Sequence, residues 1–212
     1  MDTYSLVDNE GIPIMNRVLK YIGNIKNGTY LEAGAYDGIT QSNTKYLDDI
    51  GWSGVLIEPS KNTFDRLIIN RPSNHCINCC LVSSDYKKET ISGDFNGKTM
   101  SSVNGARLNS NFSCEVRALT LDTVLSQCNI QNIDFMSLDT EGYELEVLKG
   151  LDFSKISPKY ILIEIYNHMY NDIVEYLSTY NYSMVENISK YNNIDTPGWD
   201  GTHNDYLFKL NN

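Results

Sequence analysis

Short apolar runs alternate with helical patterns along most of this chain. Five runs are predicted to be core strands, at residues 30–33, 54–58, 75–82, 133–138 and 160–165. Helical patterns lie between them, and two further strand patterns end the chain at residues 182–188 and 206–210. Parallel strands need crossovers that cover the sheet, and helices usually supply them. The alternation therefore predicts an α/β fold on a mostly parallel sheet.

The length of 212 residues fits a single domain, residues 1–212, with three segments outside the alternating pattern. Residues 1–28 hold an amphipathic helix and are interpreted as an N-terminal helical cap. Residues 83–118 are too polar and too long for a simple loop, which indicates an inserted hairpin. Residues 189–204 form a polar loop that we expect on the substrate side of the sheet.

Charge and cysteine content limit the partners and the location. The net charge of −10 argues against nucleic acid and anionic membranes, because both would repel an acidic surface. The sequence has no apolar run of about 18 residues and begins without a secretory signal pattern. Five cysteines, an odd number, do not indicate a disulfide framework. We expect a cytoplasmic or other reducing intracellular location and leave the oligomeric state open.

A glycine-containing turn follows the first strand, at the sheet edge where parallel sheets bind ligands. Gly34 and Gly38 allow a tight turn and close backbone approach around Ala35, and the acids Glu32 and Asp37 flank that turn. Two carboxylates would repel a pyrophosphate but suit a ligand that carries an ammonium and a sulfonium. The spacing therefore favours S-adenosylmethionine over a nicotinamide dinucleotide, which needs G-x-G-x-x-G.

The second strand ends in Glu58 and Pro59. An acid about 20 residues after the turn is placed to accept hydrogen bonds from both ribose hydroxyls. Together, the glycine-containing turn and this acid indicate a nucleoside-binding site more strongly than either does alone.

Acids also mark the fourth and fifth strands. Asp139 directly follows a buried strand, and Glu164 lies inside the most apolar run of the chain. Burying an unpaired carboxylate is costly, so we expect Glu164 to face a site or pair with a cation. His168 follows and should fall on the same ligand edge. Asp139 and Glu164 can together hold a divalent cation, or one acid can be the general base that the other orients.

The substrate candidates lie in the inserted hairpin and the late polar loop. Aromatic rings beside hydrogen-bonding groups suit the recognition of sugars. The residues with these properties are Ser102 near the hairpin tip and Trp199, His203 and Asn204 in the loop. They predict a hydroxyl acceptor on a sugar, a glycan or another small molecule.

The most specific motif is I-D-F-M-S-L-D-T-E-G-Y-E-L-E-V-L-K-G at residues 133–150. Together with L-E-A-G-A-Y-D-G at 31–38, Glu58-Pro59 and L-T-L-D at 119–122, it resembles the FkbM-type family of S-adenosylmethionine-dependent methyltransferases. The resemblance covers about residues 29–165. It implies a Rossmann-like class I methyltransferase fold with a mostly parallel seven-stranded sheet, helices on both faces and O-methylation of a sugar or polyketide-type product.

The resemblance also implies a cofactor site, in which Cys80 stands where the family more often has an alanine-like residue beside the adenine. The residues predicted to hold S-adenosylmethionine are Glu32, Gly34, Ala35, Asp37, Gly38, Glu58, Pro59, Cys80 and Asp139. The predicted function is therefore an S-adenosylmethionine-dependent O-methyltransferase. The alternative is a non-catalytic module that binds a nucleoside or a partner protein on the same fold, and the acids at the strand ends argue against it.

Overall fold

The described residues, 1–23, 25–103 and 111–211, form two sheets and six α-helices in this computed structural model. The strands of the larger sheet are β1 (Thr29–Ala33), β2 (Ser53–Ile57), β3 (His75–Ile77), β7 (Phe135–Leu138), β8 (Tyr160–Tyr166), β9 (Tyr182–Asn187) and β10 (His203–Leu210). Those of the smaller sheet are β4 (Cys80–Leu81), β5 (Thr90–Gly93) and β6 (Cys114–Leu119). The helices are α1 (Ile14–Ile22), α2 (Lys45–Asp49), α3 (Lys61–Asn70), α4 (Leu121–Gln127), α5 (Glu144–Leu148) and α6 (Tyr170–Thr179), with a 3-10 turn at Asn167–Met169.

The larger sheet has the strand order β3-β2-β1-β7-β8-β10-β9. Its first five strands are parallel, whereas β10 runs antiparallel to both β8 and β9. The chain winds outward from β1 to β3 and then returns to place β7 on the other side of β1. This reversal creates a switch point between the carboxyl ends of β1 and β7, where open sheets bind ligands.

Two cores lie on opposite faces of the sheet, because successive strand residues point to opposite sides. Leu31 and Ala33 of β1 pack in the core that includes residues of α4 and α6. Tyr30, which precedes Leu31 and points to the opposite face, packs in the core that includes residues of α1 and α3. The predicted α/β fold, mostly parallel and covered on both faces, is confirmed.

The predicted strand 75–82 is wrong as one element. The chain leaves the larger sheet after β3, and β4 pairs with β6 instead. The side-chain amide of Asn78 donates to the carbonyls of Glu58 and Pro59, which holds the crossing chain over the end of β2. The segment that follows contains an antiparallel β5–β6 pair, as the inserted hairpin requires. Asn104 and Gly105 of the inserted segment lie outside the described residues.

The two flanking segments contain one predicted helix and one unexpected strand start. Helix α1 buries Ile14, Met15 and Val18 in the core, as its amphipathic pattern indicates. His203 and Asn204, which we placed in the late loop, begin β10 because they pair with Tyr166 and Ile165 of β8. Within the described chain, no helix combines the length and the apolar character required to span a bilayer.

Candidate active site

A cavity of about 810 Å³, counted to its open mouth, lies at the carboxyl ends of β1, β2 and β7. Six of the predicted cofactor residues contribute to its lining: Gly34, Ala35, Glu58, Pro59, Cys80 and Asp139. The other three, Glu32, Asp37 and Gly38, are not part of that lining.

Gly34 makes the closest approach in the floor of the cavity. Its φ is 84°, and a Cβ at this position would lie 1.8 Å from the carbonyl oxygen of Asp139. The amides of Gly34 and Ala35 both donate to the carbonyl of Ile57, at 3.1 and 3.0 Å. The glycine thus allows the ends of β1, β2 and β7 to meet.

Glu58 lies in the cavity wall with most of its acceptor capacity in use. Its Oε1 accepts from the amide of Ser60 at 2.8 Å and the hydroxyl of Thr63 at 2.9 Å, and its Oε2 accepts from the amide of Tyr36 at 3.0 Å. A carboxylate has about four acceptor sites, so about one remains, on Oε2. This geometry leaves Glu58 with little acceptor capacity beyond its three internal partners. Burial raises the pKa of Glu58 to about 7.

Glu32 lies beneath the cavity and organises the loop that follows β1. Its buried carboxylate accepts from the hydroxyls of Ser42 and Thr44, at 2.9 and 2.6 Å, and from the amide of Asn43 at 2.8 Å. Burial raises the pKa of Glu32, and the nearby Arg71 opposes that shift. The structure therefore gives Glu32 a supporting position instead of the direct cofactor contact that we predicted.

Asp37 and Gly38 also shape the loop. The Asp37 carboxylate accepts from the amides of Ile39 and Thr40, at 3.0 and 2.8 Å, and these bonds lower its pKa against the effect of burial. A Cβ on Gly38 would lie 2.6 Å from Cδ1 of Leu67 on α3. Both positions hold the turn against α3 from outside the cavity lining.

Three carboxylates converge beside the cavity. Asp139, Glu141 and Glu164 each place one oxygen within 4.8 Å of the other two. Asp139 and Glu141 line the cavity, and Glu164 stands next to them on β8. Burial and the neighbouring carboxylates raise the pKa values of Asp139 and Glu164 well above the usual range. The structure thus brings Asp139 and Glu164 together.

The loop after β7 is held by a buried acid that the sequence analysis did not select. Oε1 of Glu144 accepts from the amides of Thr140 and Gly142, at 2.8 and 3.1 Å. Glu141 between them has a φ of 57°, which is unusual for a residue with a side chain. Glu144 thus supports the turn that carries Glu141. Its position five residues after Asp139 in the motif is the sequence feature that could have indicated this role.

His168, predicted as catalytic, is exposed on the 3-10 turn. Its ring lies 6.2 Å from the ring of Tyr166, and it is not among the side chains that group with Asp139. His203, predicted as a substrate residue, instead contacts the acids, with Nε2 at 3.2 Å from Oε1 of Glu164.

The other predicted substrate residues make internal contacts. The indole N–H of Trp199 donates to the carbonyl of His203 at 2.9 Å. The buried Asn204 amide oxygen accepts from Ser189 and Tyr191, so it is used within the protein. Ser102 is buried, and its amide donates to Asp94. None of these three lines the cavity.

The inserted segment supplies one wall of the cavity. Phe95, Lys98, Ser101 and Val103 line the cavity. The hydroxyl of Tyr36, in the glycine turn, donates to the carbonyl of Gly97 at 3.3 Å and links the two walls. The sequence pointed to this segment through Ser102, but most of its lining residues follow no strand or helix periodicity that would mark them.

The strand order and the cavity at the switch point define a Rossmann-like class I methyltransferase fold. A TehB-like SAM-dependent methyltransferase from Corynebacterium glutamicum is similar, with a TM-score of 0.50, 9% identity and coverage of 93% of this chain and 88% of that one. The fibrillarin pre-rRNA processing protein of Methanococcus jannaschii is also similar, with a TM-score of 0.51 and 11% identity. That similarity covers 87% of this chain and 67% of the other. At these identities the similarity shows the fold alone.

Residues 32–184 match the methyltransferase FkbM domain, and the chain belongs to this family. Hexuronic acid methyltransferase AglP of Haloferax volcanii is 26% identical over 111 residues, which are 51% of this chain and 45% of that protein. The match therefore spans about half the length of this curated relative.

Proposed function

We propose that this protein is an S-adenosylmethionine-dependent methyltransferase that methylates a hydroxyl oxygen of a sugar, a glycan or another small molecule. The observation that carries the proposal is the junction of the cavity with the carboxylate cluster at Asp139 and Glu141. One end of the cavity offers Glu58 to a ribose, and the other offers carboxylates that can accept a proton. The family match supports the reaction, and the relative named for a hexuronic acid supports a sugar acceptor.

The residues of the cavity fit this cofactor. Oε2 of Glu58 has an acceptor site for one ribose hydroxyl, and Cys80, Phe95 and Val103 supply an apolar wall for a flat base. Asp139, at the opposite side, is an acid that attracts the cationic end of the molecule. Burial raises the pKa of the Cys80 thiol, which keeps it neutral and suits it to packing.

The chemistry divides between cofactor and protein. S-adenosylmethionine supplies a methyl group whose bond to sulfur breaks with the electron pair remaining on sulfur, while the acceptor oxygen bonds to the methyl carbon. The hydroxyl proton must leave, and a carboxylate of the Asp139–Glu164 pair would take it, which the convergence of these acids beside the cavity supports.

The acceptor class is tested by methyl transfer from labelled S-adenosylmethionine to four groups of compounds: nucleotide-sugars, free glycans, RNA and small peptides. We expect label in a carbohydrate or another small-molecule hydroxyl, because the net charge of −10 disfavours phosphate backbones. Transfer only to RNA or peptide would contradict the proposed acceptor. S-adenosylhomocysteine binding without transfer to any class would favour the non-catalytic alternative.

Glu58→Gln is expected to weaken S-adenosylhomocysteine binding by about 1.5–3 kcal/mol, the scale of a hydrogen bond to a charged group. In the wild type, the affinity should rise between about pH 6 and pH 8. The pKa of Glu58 is raised to about 7, so an increase in pH through that value produces the ionised acceptor. Calorimetry at several pH values should show this slope in the wild type and a flat profile in Glu58→Gln.

Glu175→Gln is the matched control for the Glu58 variant, because it removes one acid from the exposed face of α6. It should retain both the affinity and the pH profile of the wild type. Unchanged affinity in Glu58→Gln would place the ribose elsewhere in the cavity.

A further inference from the structure

We propose that Asp139, Glu141 and Glu164 form a binding site for one divalent cation of the Mg²⁺ and Mn²⁺ class. Their oxygens lie within 4.8 Å of one another. Oxygen ligands lie about 2.0–2.1 Å from Mg²⁺ and about 2.3–2.6 Å from the larger Ca²⁺, so two ligand oxygens of one hard divalent ion are at most about 4–5 Å apart. The three carboxylates therefore have the spacing of a ligand set. They come from the end of β7, the turn after it and the middle of β8.

The charge balance of the cluster favours a cation. Asp205 adds a fourth carboxylate, because it pairs with Glu164 across the β8–β10 ladder and is buried. In the part of the chain that the structure describes, Asp139 forms no ion pair and Glu164 pairs with His203 alone. Several carboxylates held close together repel one another, and a divalent ion offsets that repulsion directly.

Glu164 supplies the second, independent observation. The residue is 9% exposed, and its buried Oε2 has no hydrogen-bond partner among residues 1–23, 25–103 and 111–211. Its Oε1 contacts Nε2 of His203 at 3.2 Å. A buried carboxylate oxygen without a partner is costly unless a proton or a cation satisfies it. Oε2 of Glu164 is therefore available to a cation, while the contact of Oε1 with His203 orients the carboxylate.

The donor set selects the class of ion. All three ligands are carboxylates, which hard cations such as Mg²⁺ and Mn²⁺ prefer, whereas zinc sites are rich in nitrogen and sulfur. Asp139 and Glu141 also line the open cavity, so water or a substrate oxygen can complete the coordination. The contact from His203 to Glu164 resembles the outer hydrogen bonds that orient metal-binding carboxylates.

The position of the ion suggests its use. An ion at this cluster would border the cavity on the side of Asp139 and would stabilise the negative oxygen that forms when an acceptor hydroxyl loses its proton. That use depends on the proposed methyltransferase function. Binding of the ion does not, and it can be measured in the absence of cofactor and acceptor.

The test is titration of the metal-free protein with Mn²⁺. Binding is measured as the decrease of the electron paramagnetic resonance signal of the free ion. We expect one saturable site in the wild type, from which excess Mg²⁺ displaces Mn²⁺. Glu164→Gln and Asp139→Asn should each weaken binding at least about tenfold, since each removes a charged ligand. Asp65→Asn, which removes an exposed acid on α3, should bind Mn²⁺ as the wild type does.

Thermal melting of each variant in the absence of metal keeps the result interpretable, because it separates loss of a ligand from loss of the fold. Absence of saturable Mn²⁺ binding in the folded wild type would overturn the proposal. Equal Mn²⁺ affinity in folded Glu164→Gln and Asp139→Asn would overturn it as well. S-adenosylhomocysteine binding to the metal-free wild type reports on the cofactor site separately, so a failure of the metal site leaves the proposed function testable.

Discussion

Gly34→Ala is expected to destabilise the protein by about 3–5 kcal/mol and to remove cofactor binding. The added Cβ would lie 1.8 Å from the carbonyl oxygen of Asp139, and that atom belongs to the backbone, so no side-chain rotation relieves the overlap. Overpacking costs about 1–3 kcal/mol or more, and a positive φ at a residue with a Cβ costs about 1–2 kcal/mol. Urea unfolding followed by circular dichroism measures the first effect, and calorimetry with S-adenosylhomocysteine measures the second.

Gly11→Ala is the matched control for backbone strain. Gly11 has a φ of 76°, close to that of Gly34, but a Cβ there would meet no atom within 4 Å. Its variant should lose about 1–2 kcal/mol, from the backbone conformation alone. If Gly34→Ala is as mild as Gly11→Ala, then the ends of β1 and β7 are not packed as described.

Asp139→Asn and Glu164→Gln are each expected to lower turnover by about 10²–10⁴-fold, the range for loss of a group that handles the proton. Their melting temperatures should stay near or above that of the wild type. Each substitution removes one negative charge from a cluster in which carboxylates raise one another's pKa. Steady-state kinetics on the acceptor identified by screening, together with thermal melting, measures both effects.

Glu175→Gln again serves as the control, because it changes the same charge on exposed α6. Its turnover should match that of the wild type. Full activity in both Asp139→Asn and Glu164→Gln would remove the cluster from the chemical step. A fall in turnover that is matched by unfolding would show that the acids serve the fold instead.

The sequence predicted the sheet well because its periodicity is a local property. Runs such as 160–165 are long and apolar, and β8 (Tyr160–Tyr166) agrees with that run almost residue for residue. The sequence also allowed Asp139 and Glu164 to be considered as one group, because parallel strands bring their carboxyl ends to one edge of the sheet. Strand-end acids are therefore informative without any knowledge of side-chain contacts.

Other features depend on contacts between distant segments and could not be predicted from the sequence. Glu32 has the sequence position expected of an acid beside a cofactor-binding turn. The structure instead shows that its carboxylate accepts from Ser42 and Thr44, which lie ten and twelve residues away. His203 looked like part of a polar loop because only the pairing with Tyr166 extends β10 to include it. The sequence pattern predicted β3 and β4 as one strand. The break between them, at Asn78, arises from side-chain hydrogen bonds to the end of β2, which no local pattern shows.

The central claim is that the cavity at the ends of β1, β2 and β7 holds S-adenosylmethionine. Isothermal titration calorimetry of the wild-type protein with S-adenosylhomocysteine, and separately with NAD, tests it most directly. We expect saturable one-to-one binding of S-adenosylhomocysteine that is weakened in Glu58→Gln, and no binding of NAD. Saturable binding of NAD, or no binding of S-adenosylhomocysteine by the folded protein, would contradict it.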